Sequence, residues 1–125
     1  MSQILIVEDD RPFGEALAMT LRRAGHEVAV AVDADEGVQL GLLWRPDVVI
    51  ADWMLKSSLH GGEVCRRIRA ACPTARTIIM TGYLDIVPEV GRWSEYGETI
   101  IQKPFHKEDI LEAVHKLLAC VPAET

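Results

Sequence analysis

Short runs of apolar residues alternate with longer amphipathic stretches along this chain, and this alternation restricts the possible folds more than any other feature of the sequence. The apolar runs are strand-sized and rich in Ile and Val, whereas the amphipathic stretches are long enough for helices. Five such units follow one another. Repeated strand and helix units build a parallel sheet that is covered by helices, so the sequence predicts an α/β fold.

Turn and cap residues set the bounds of these elements. Gly25 suits the position just past a helix end, Arg45 before Pro46 stops the second helix, and Pro88 and Gly91 limit the fourth helix. Strands are predicted at 3–7, 27–31, 47–51, 76–80 and 99–102. Helices are predicted at about 12–24, from a cap at Asp33 or Asp35 to 44, at 61–71, in part of 84–96, and at 106–119.

Length and composition predict one domain over residues 1–125, with a core at about 3–119. The net charge of −6 disfavours nucleic-acid binding, which depends on neutralising phosphates with Lys and Arg. No apolar run approaches the roughly 20 residues of a bilayer span, and the amino terminus does not resemble a signal peptide. We therefore expect a cytoplasmic protein that binds neither membrane nor nucleic acid.

The three cysteines, Cys65, Cys72 and Cys120, lack the spacing of a disulfide framework or a zinc site, so we expect them to be packing residues.

Polar residues follow four of the predicted strands at their carboxyl ends. They are Glu8, Asp9 and Asp10 after the first strand, Asp52 after the third, Thr81 after the fourth and Lys103 after the fifth. Ligands of open parallel sheets bind at this edge, so these side chains are predicted to converge. Crowded carboxylates need a neutralising cation, and Mg²⁺ prefers oxygen ligands. A carboxylate beside that metal can attack phosphorus, while an amine and a hydroxyl hold the phosphoryl oxygens.

Four segments with these residues carry a resemblance to a known family. They are Ile4 to Asp10, Pro46 to Asp52, Met80 to Gly82 and Gln102 to Phe105. In this order, each at a strand end, they resemble the receiver domain of response regulators from two-component systems, over essentially the whole chain. The resemblance implies a flavodoxin-like, doubly wound sheet of five parallel strands in the order 2-1-3-4-5, with five helices.

The resemblance also implies a role for each site residue. Asp52 is the expected phosphoacceptor. The expected ligands of Mg²⁺ are Asp52, Asp9 and the backbone carbonyl of Met54, and Glu8 is expected to reach the metal through water. Thr81 is expected to bind the phosphoryl group and Lys103 to pair with it, with a cis bond between Lys103 and Pro104. The expected partners are a histidine kinase or histidine phosphotransfer protein and a downstream effector, with the receiver as a monomer or weak homodimer.

The sequence departs from the family pattern in the loops. Lys56 stands where the family usually has Pro four residues after the acceptor, and the following Gly comes one residue late, at Gly61. The stretch from 97 to 103 is one residue shorter than in the commonest receivers, and Ile100 replaces an aromatic residue of the switch. The loop pattern is similar to that of receivers associated with hybrid histidine kinases.

Other functions and plainer roles stay open from the sequence. A receiver-like module could bind partners without phosphorylation, and a small Mg²⁺-dependent phosphohydrolase could use Asp52, although Met54 stands where such enzymes need a second Asp. A flavin-binding domain is disfavoured, because the acidic loop after the first strand would repel the flavin phosphate.

Several residues have plainer expected roles. We expect Asp10 to cap the next helix, and Trp53 to be exposed, either contacting a partner or covering the sheet edge. His26, His60, His106 and His115 are expected at the surface.

Overall fold

The structure is a computed structural model that describes residues 2–56, 59–82 and 99–119. Its strands are β1 (Gln3–Val7), β2 (Glu27–Ala31), β3 (Val48–Asp52), β4 (Arg76–Thr81) and β5 (Thr99–Gln102). Its helices are α1 (Arg11–Arg23), α2 (Ala34–Trp44), α3 (Gly61–Ala71) and α4 (Lys107–Ala119). The helix predicted within 84–96 lies outside the described residues, so α4 is the helix predicted at 106–119.

The five strands form one parallel sheet in the order β2-β1-β3-β4-β5, which confirms the predicted class and order. The central strand β3 is buried along its whole length. It begins and ends one residue later than predicted: the Asp47 carboxylate accepts a hydrogen bond from the Gln3 N–H just before it, and Asp52 is in register with Met80 at its end. Strand β4 likewise extends to Thr81, which is in register with Gln102.

Alternate residues of each strand face opposite sides of the sheet, and each side has its own apolar cluster. The α2/α3 cluster includes Leu5, Val7, Val49, Ala51, Ile79, Val64, Cys65 and Ile68. The α1/α4 cluster includes Ile4, Ile6, Val48, Ile50, Ile78, Met80, Leu17, Leu21, Ile110 and Val114. The two layers of helices hold the sheet between them, so that the strand ends remain the edge at which polar groups can meet.

The predicted packing role of the cysteines is confirmed for Cys65 and Cys72, which are buried free thiols. Burial raises the pKa of Cys65 to about 12, so its thiol stays protonated and unreactive near neutral pH. Cys120 lies outside the described residues. In the parts of the chain that the structure describes, every helix is too short or too polar to cross a bilayer.

The helix ends follow the predicted cap residues. The Asp10 carboxylate accepts a hydrogen bond from the Phe13 N–H at the start of α1, which confirms the capping role of Asp10. Asp33, rather than Asp35, caps α2. Gly25 follows α1 with a φ of 101°, in the left-handed region that favours glycine. The Asp10 and Asp33 caps thus start α1 and α2 shortly after the carboxyl ends of β1 and β2.

Candidate functional site

The carboxyl ends of β1, β3, β4 and β5 bring the predicted site residues to one edge of the sheet. Glu8 directly follows β1, Asp52 and Thr81 are the last residues of β3 and β4, and Lys103 directly follows β5. Thr81 is fully buried, and its backbone carbonyl accepts a hydrogen bond of 2.7 Å from the Lys103 N–H. The convergence of these residues, expected from their positions after the apolar runs, is present in the structure.

Lys103 is the cation around which the buried acids are arranged. Its Nζ lies 2.8 Å from Glu8 Oε1 and 3.4 Å from Asp52 Oδ2. Burial alone would lower the pKa of Lys103, but the hydrogen bond to Glu8 and the charge of Asp52 outweigh it and raise the pKa above its usual value. Lys103 is therefore a permanent positive charge in this site. The peptide bond between Lys103 and Pro104 is cis, as predicted.

Phe13 in α1 forms part of the site, although the sequence patterns do not predict it. The Lys103 ammonium lies 4.3 Å from the centre of the Phe13 ring, within the range of a cation–π interaction. Phe105 supports the Phe13 ring, which it meets edge to face with centroids 5.9 Å apart. An aromatic residue one turn after an acidic loop is the signal that could have indicated it.

Glu8 is an acid almost entirely removed from solvent, with only 1% of its surface exposed. Burial raises the pKa of Glu8 to about 7, opposed by hydrogen bonds from Lys103 and the Asp10 N–H and assisted by the charge of Asp52. Glu8 Oε1 accepts from Lys103, and Oε2 accepts from the Asp10 N–H at 3.1 Å. Both oxygens are thus held, although the charged form of Glu8 is disfavoured by its surroundings.

This raised pKa predicts that Glu8 makes the metal-free protein less stable as the pH rises. Because folded Glu8 binds its proton more tightly than unfolded Glu8, its stabilising contribution is complete below pH 4.5 and is lost as the pH rises through about 7. The neutral side chain of Glu8→Gln avoids this loss, so we expect the variant to exceed wild type by up to about 3 kcal/mol at alkaline pH. Urea unfolding with a chelator across this pH range is the measurement. Parallel stability curves for the two proteins would contradict the assignment.

Glu8, Asp9 and Asp52 form the group of acids that suits a metal ion. Each offers one carboxylate oxygen, and the three oxygens lie within 4.8 Å of one another. Hard oxygen donors at this separation, with a net negative charge, fit a divalent cation such as Mg²⁺. Asp9 Oδ2 also accepts a hydrogen bond of 2.8 Å from the Lys56 N–H, a contact that the sequence did not reveal. The Met54 N–H donates to Asp52 Oδ1 at 3.2 Å, which orients the carboxylate.

The prediction that Trp53 is exposed was wrong, since only 7% of its surface is accessible. The backbone N–H of Trp53 donates to the backbone carbonyl of Met80 at 2.8 Å, so the strand geometry continues past Asp52. The Trp53 side chain therefore lies on the same face of the sheet as Val49 and Ala51 and packs in the α2/α3 cluster. Trp53 is therefore a packing residue next to the site, not an exposed contact for a partner.

The expected surface position of the histidines holds for His106 and His115, whereas His26 and His60 are half-buried. The His60 ring stacks on Trp53 at 4.1 Å with an interplanar angle of 22°. Its Nδ1 accepts a hydrogen bond from the Glu63 N–H and thereby caps α3. Burial lowers the pKa of His60, which favours the unprotonated ring that this cap requires.

Gly61 allows the start of α3 to approach the end of β3. A Cβ atom at this position would overlap the backbone carbonyl oxygen of Asp52. The Gly61 N–H also donates to the Trp53 carbonyl at 3.3 Å. The displaced glycine of the sequence thus has a steric role here, because a larger residue would push α3 away from the end of β3.

Comparison with known proteins gives a consistent result. A model of the response regulator receiver domain family matches residues 4–115. Response regulator MprA of Mycolicibacterium vanbaalenii is 32% identical over 116 residues, which are 93% of this chain and 50% of the relative. Response regulator ArlR of Staphylococcus aureus is 33% identical over 122 residues, which are 98% of this chain and 55% of the relative. The chain thus spans about half the length of these curated relatives.

Solved structures show the same similarity. A CheY-like receiver domain from Methanospirillum hungatei JF-1 has a TM-score of 0.86 and 27% identity, with 95% of each chain covered. Response regulator TrrA from Thermotoga maritima, solved in complex with Mg²⁺ and BeF, has a TM-score of 0.83 and 27% identity, with 94% of this chain and 99% of that chain covered.

Proposed function

This chain belongs to the response regulator receiver domain family, and we propose that Asp52 is the residue on which it accepts a phosphoryl group. The observation that carries this proposal is the position of the Lys103 ammonium, 3.4 Å from Asp52 and 2.8 Å from Glu8 at the carboxyl edge of the sheet. A fixed cation beside a carboxylate that ends a strand suits the capture of a phosphoryl group, whose oxygens need positive charge and hydrogen-bond donors.

In the proposed reaction an oxygen of the Asp52 carboxylate attacks the phosphorus of a phosphohistidine. The P–N bond breaks as the P–O bond forms, and the departing imidazole takes up a proton. The Met54 N–H and the Lys103 ammonium hold the Asp52 carboxylate in one orientation. Lys103 then pairs with the phosphoryl group, and the Thr81 hydroxyl binds another of its oxygens.

We assign the Mg²⁺ ligands to carboxylate oxygens of Asp9 and Asp52 and to the backbone carbonyl of Met54, with Glu8 acting through water. The three acids supply oxygens within 4.8 Å of one another, which supports this assignment. When bound, Mg²⁺ supplies positive charge that offsets the negative charge of the phosphoryl oxygens. The similar response regulator from Thermotoga maritima was solved in complex with Mg²⁺ and BeF, which supports the same chemistry for this chain.

The proposed output is a change in a partner-binding surface. Phosphorylation adds roughly two negative charges at the site, which should draw Thr81 towards the phosphoryl group and bias the surface near β5 and α4. Ile100 packs in part against the α2/α3 cluster, so any switch in this chain must work without an aromatic ring at that position. A downstream effector would read this surface, and a bias of about 1 to 3 kcal/mol would suffice.

Response regulators act with histidine kinases and effectors, and the remaining assignments follow from that family role. We propose a histidine kinase or histidine phosphotransfer protein as the donor, and the loop pattern favours a hybrid kinase system. We also propose that residues 1–125 form one cytoplasmic domain, monomeric or weakly dimeric, that binds no nucleic acid. We propose that it is not a general enzyme and promotes only its own phosphorylation and autodephosphorylation at Asp52. The net charge of −6 supports the absence of nucleic-acid binding.

The test is to incubate the protein with acetyl phosphate and Mg²⁺ and to measure its intact mass. We expect the mass to rise by one phosphoryl group, and the product to be an acyl phosphate that hydroxylamine releases. A chelator should prevent the reaction. A phosphohydrolase would instead release inorganic phosphate over many turnovers, and a module that binds without phosphorylation would gain no mass. Absence of a mass gain with both acetyl phosphate and a phosphohistidine donor would overturn the proposal.

A further inference from the structure

We infer that the backbone N–H of Lys56 is a positioning group for the metal ligand Asp9, an inference that rests on the proposed role of Asp9 in binding Mg²⁺. The Lys56 N–H donates to Asp9 Oδ2 at 2.8 Å. Asp9 belongs to the loop after β1, whereas Lys56 belongs to the loop after β3, and 47 positions separate them. The bond therefore connects two loops that meet at the carboxyl edge of the sheet.

Asp9 needs such a partner more than the other two acids of the site. Glu8 and Asp52 are buried, and their oxygens are held by Lys103, the Asp10 N–H and the Met54 N–H. Asp9 is only half-buried, so packing restricts its side chain less. A hydrogen bond from a backbone donor to a charged carboxylate fixes its rotamer and leaves the second oxygen available to a cation.

The same bond also sets the spacing of the proposed ligands. Lys56 lies two residues after Met54, whose carbonyl is the proposed backbone ligand, and four residues after Asp52. Holding Lys56 against Asp9 therefore holds residues 53–56 beside the acids. Hydrogen bonds that orient metal-binding carboxylates typically change metal affinity by about ten- to a hundredfold when they are lost.

The chain offers a sharp test because the donor is a backbone group. Lys56→Ala removes the ammonium but keeps the N–H, whereas Lys56→Pro removes both. Mg²⁺ affinity is measured for both variants by titration followed in ¹H–¹⁵N NMR spectra. We expect Lys56→Pro to bind Mg²⁺ about tenfold more weakly than Lys56→Ala. Dissociation constants within about twofold of each other would overturn the inference.

Two further measurements separate this effect from damage to the loop. In an Asp9→Ala background the two Lys56 variants should bind Mg²⁺ equally, and a persistent difference would show that proline acts through the loop instead. If Asp9→Ala alone leaves Mg²⁺ affinity unchanged, the metal role of Asp9 fails, and this inference fails with it. If Lys56→Pro does not fold, the chemical shift of the Lys56 amide proton decides between the two outcomes. This proton must resonate further upfield in Asp9→Ala than in wild type, because the variant lacks the carboxylate that accepts its hydrogen bond.

Discussion

Asp52→Asn is expected to abolish phosphorylation of the chain while leaving it folded. The amide has nearly the shape of the carboxylate, and its oxygen can still accept from the Met54 N–H. It is nevertheless a poor nucleophile and lacks the charge that pairs with Lys103. Because the change removes one negative charge from a crowded site, we expect the free energy of unfolding to stay the same or to rise.

Asp47→Asn is the matched control for this variant. Asp47 directly precedes β3, at the end opposite to Asp52, and its carboxylate accepts a hydrogen bond from the Gln3 N–H. Intact mass after incubation with acetyl phosphate and Mg²⁺ should show phosphorylation of wild type and Asp47→Asn but not of Asp52→Asn. A phosphoryl group found in Asp52→Asn at full yield would place the acceptor elsewhere and refute the assignment.

Lys103→Met is expected to destabilise the metal-free protein by about 1 to 2 kcal/mol near pH 8, because it leaves buried Glu8 without its counter-charge and Glu8 then takes up a proton. This proton uptake, with exposure of about a quarter of the Lys103 side chain, keeps the cost below the range for broken buried pairs. Loss of the cation should raise the pKa of Glu8 further above about 7. At acidic pH Glu8 is neutral and needs no cation, so the destabilisation should shrink towards about pH 5.

Urea unfolding at both pH values, with a chelator present, measures this dependence. Lys116→Met is the control, because Lys116 forms an exposed ion pair with Glu112 at 3.7 Å and should change stability by about 0.5 kcal/mol or less. Lys103→Met should also lose most of its phosphorylation by acetyl phosphate, since the amine that would pair with the phosphoryl oxygens is gone. Equal destabilisation by Lys103→Met at both pH values would mean that its packing matters and not its charge.

The sheet and the acids at its edge could be predicted because each depends on local sequence. An apolar run identifies a strand, and the polar residue that ends the run must lie at the edge where parallel strands finish. Glu8, Asp52, Thr81 and Lys103 were all found in this way. The one-residue shift of β3 and the extension of β4 to Thr81 arise from pairing between strands, which no single segment of sequence specifies.

The contacts that could not be predicted depend on backbone groups and on rings brought together by the fold. The Lys56 N–H has no side-chain signature, and the path of its loop is set by tertiary structure. The stacking of His60 on Trp53 could not be predicted either, because both residues belong to a stretch that the sequence predicts only as an irregular loop. Trp53 itself could have been assigned to the core, since the alternation of Val49 and Ala51 continues to it.

The strand order means that the site is assembled from widely separated parts of the chain. Glu8 and Lys103 touch across 95 positions, and Asp52 lies between them on the central strand. A proteolytic piece that ends before β5 would retain the acids but lose the amine that neutralises them. Recombination or gene fusion would therefore transplant this chemistry into another protein only with a segment that includes Glu8, Asp52 and Lys103 together.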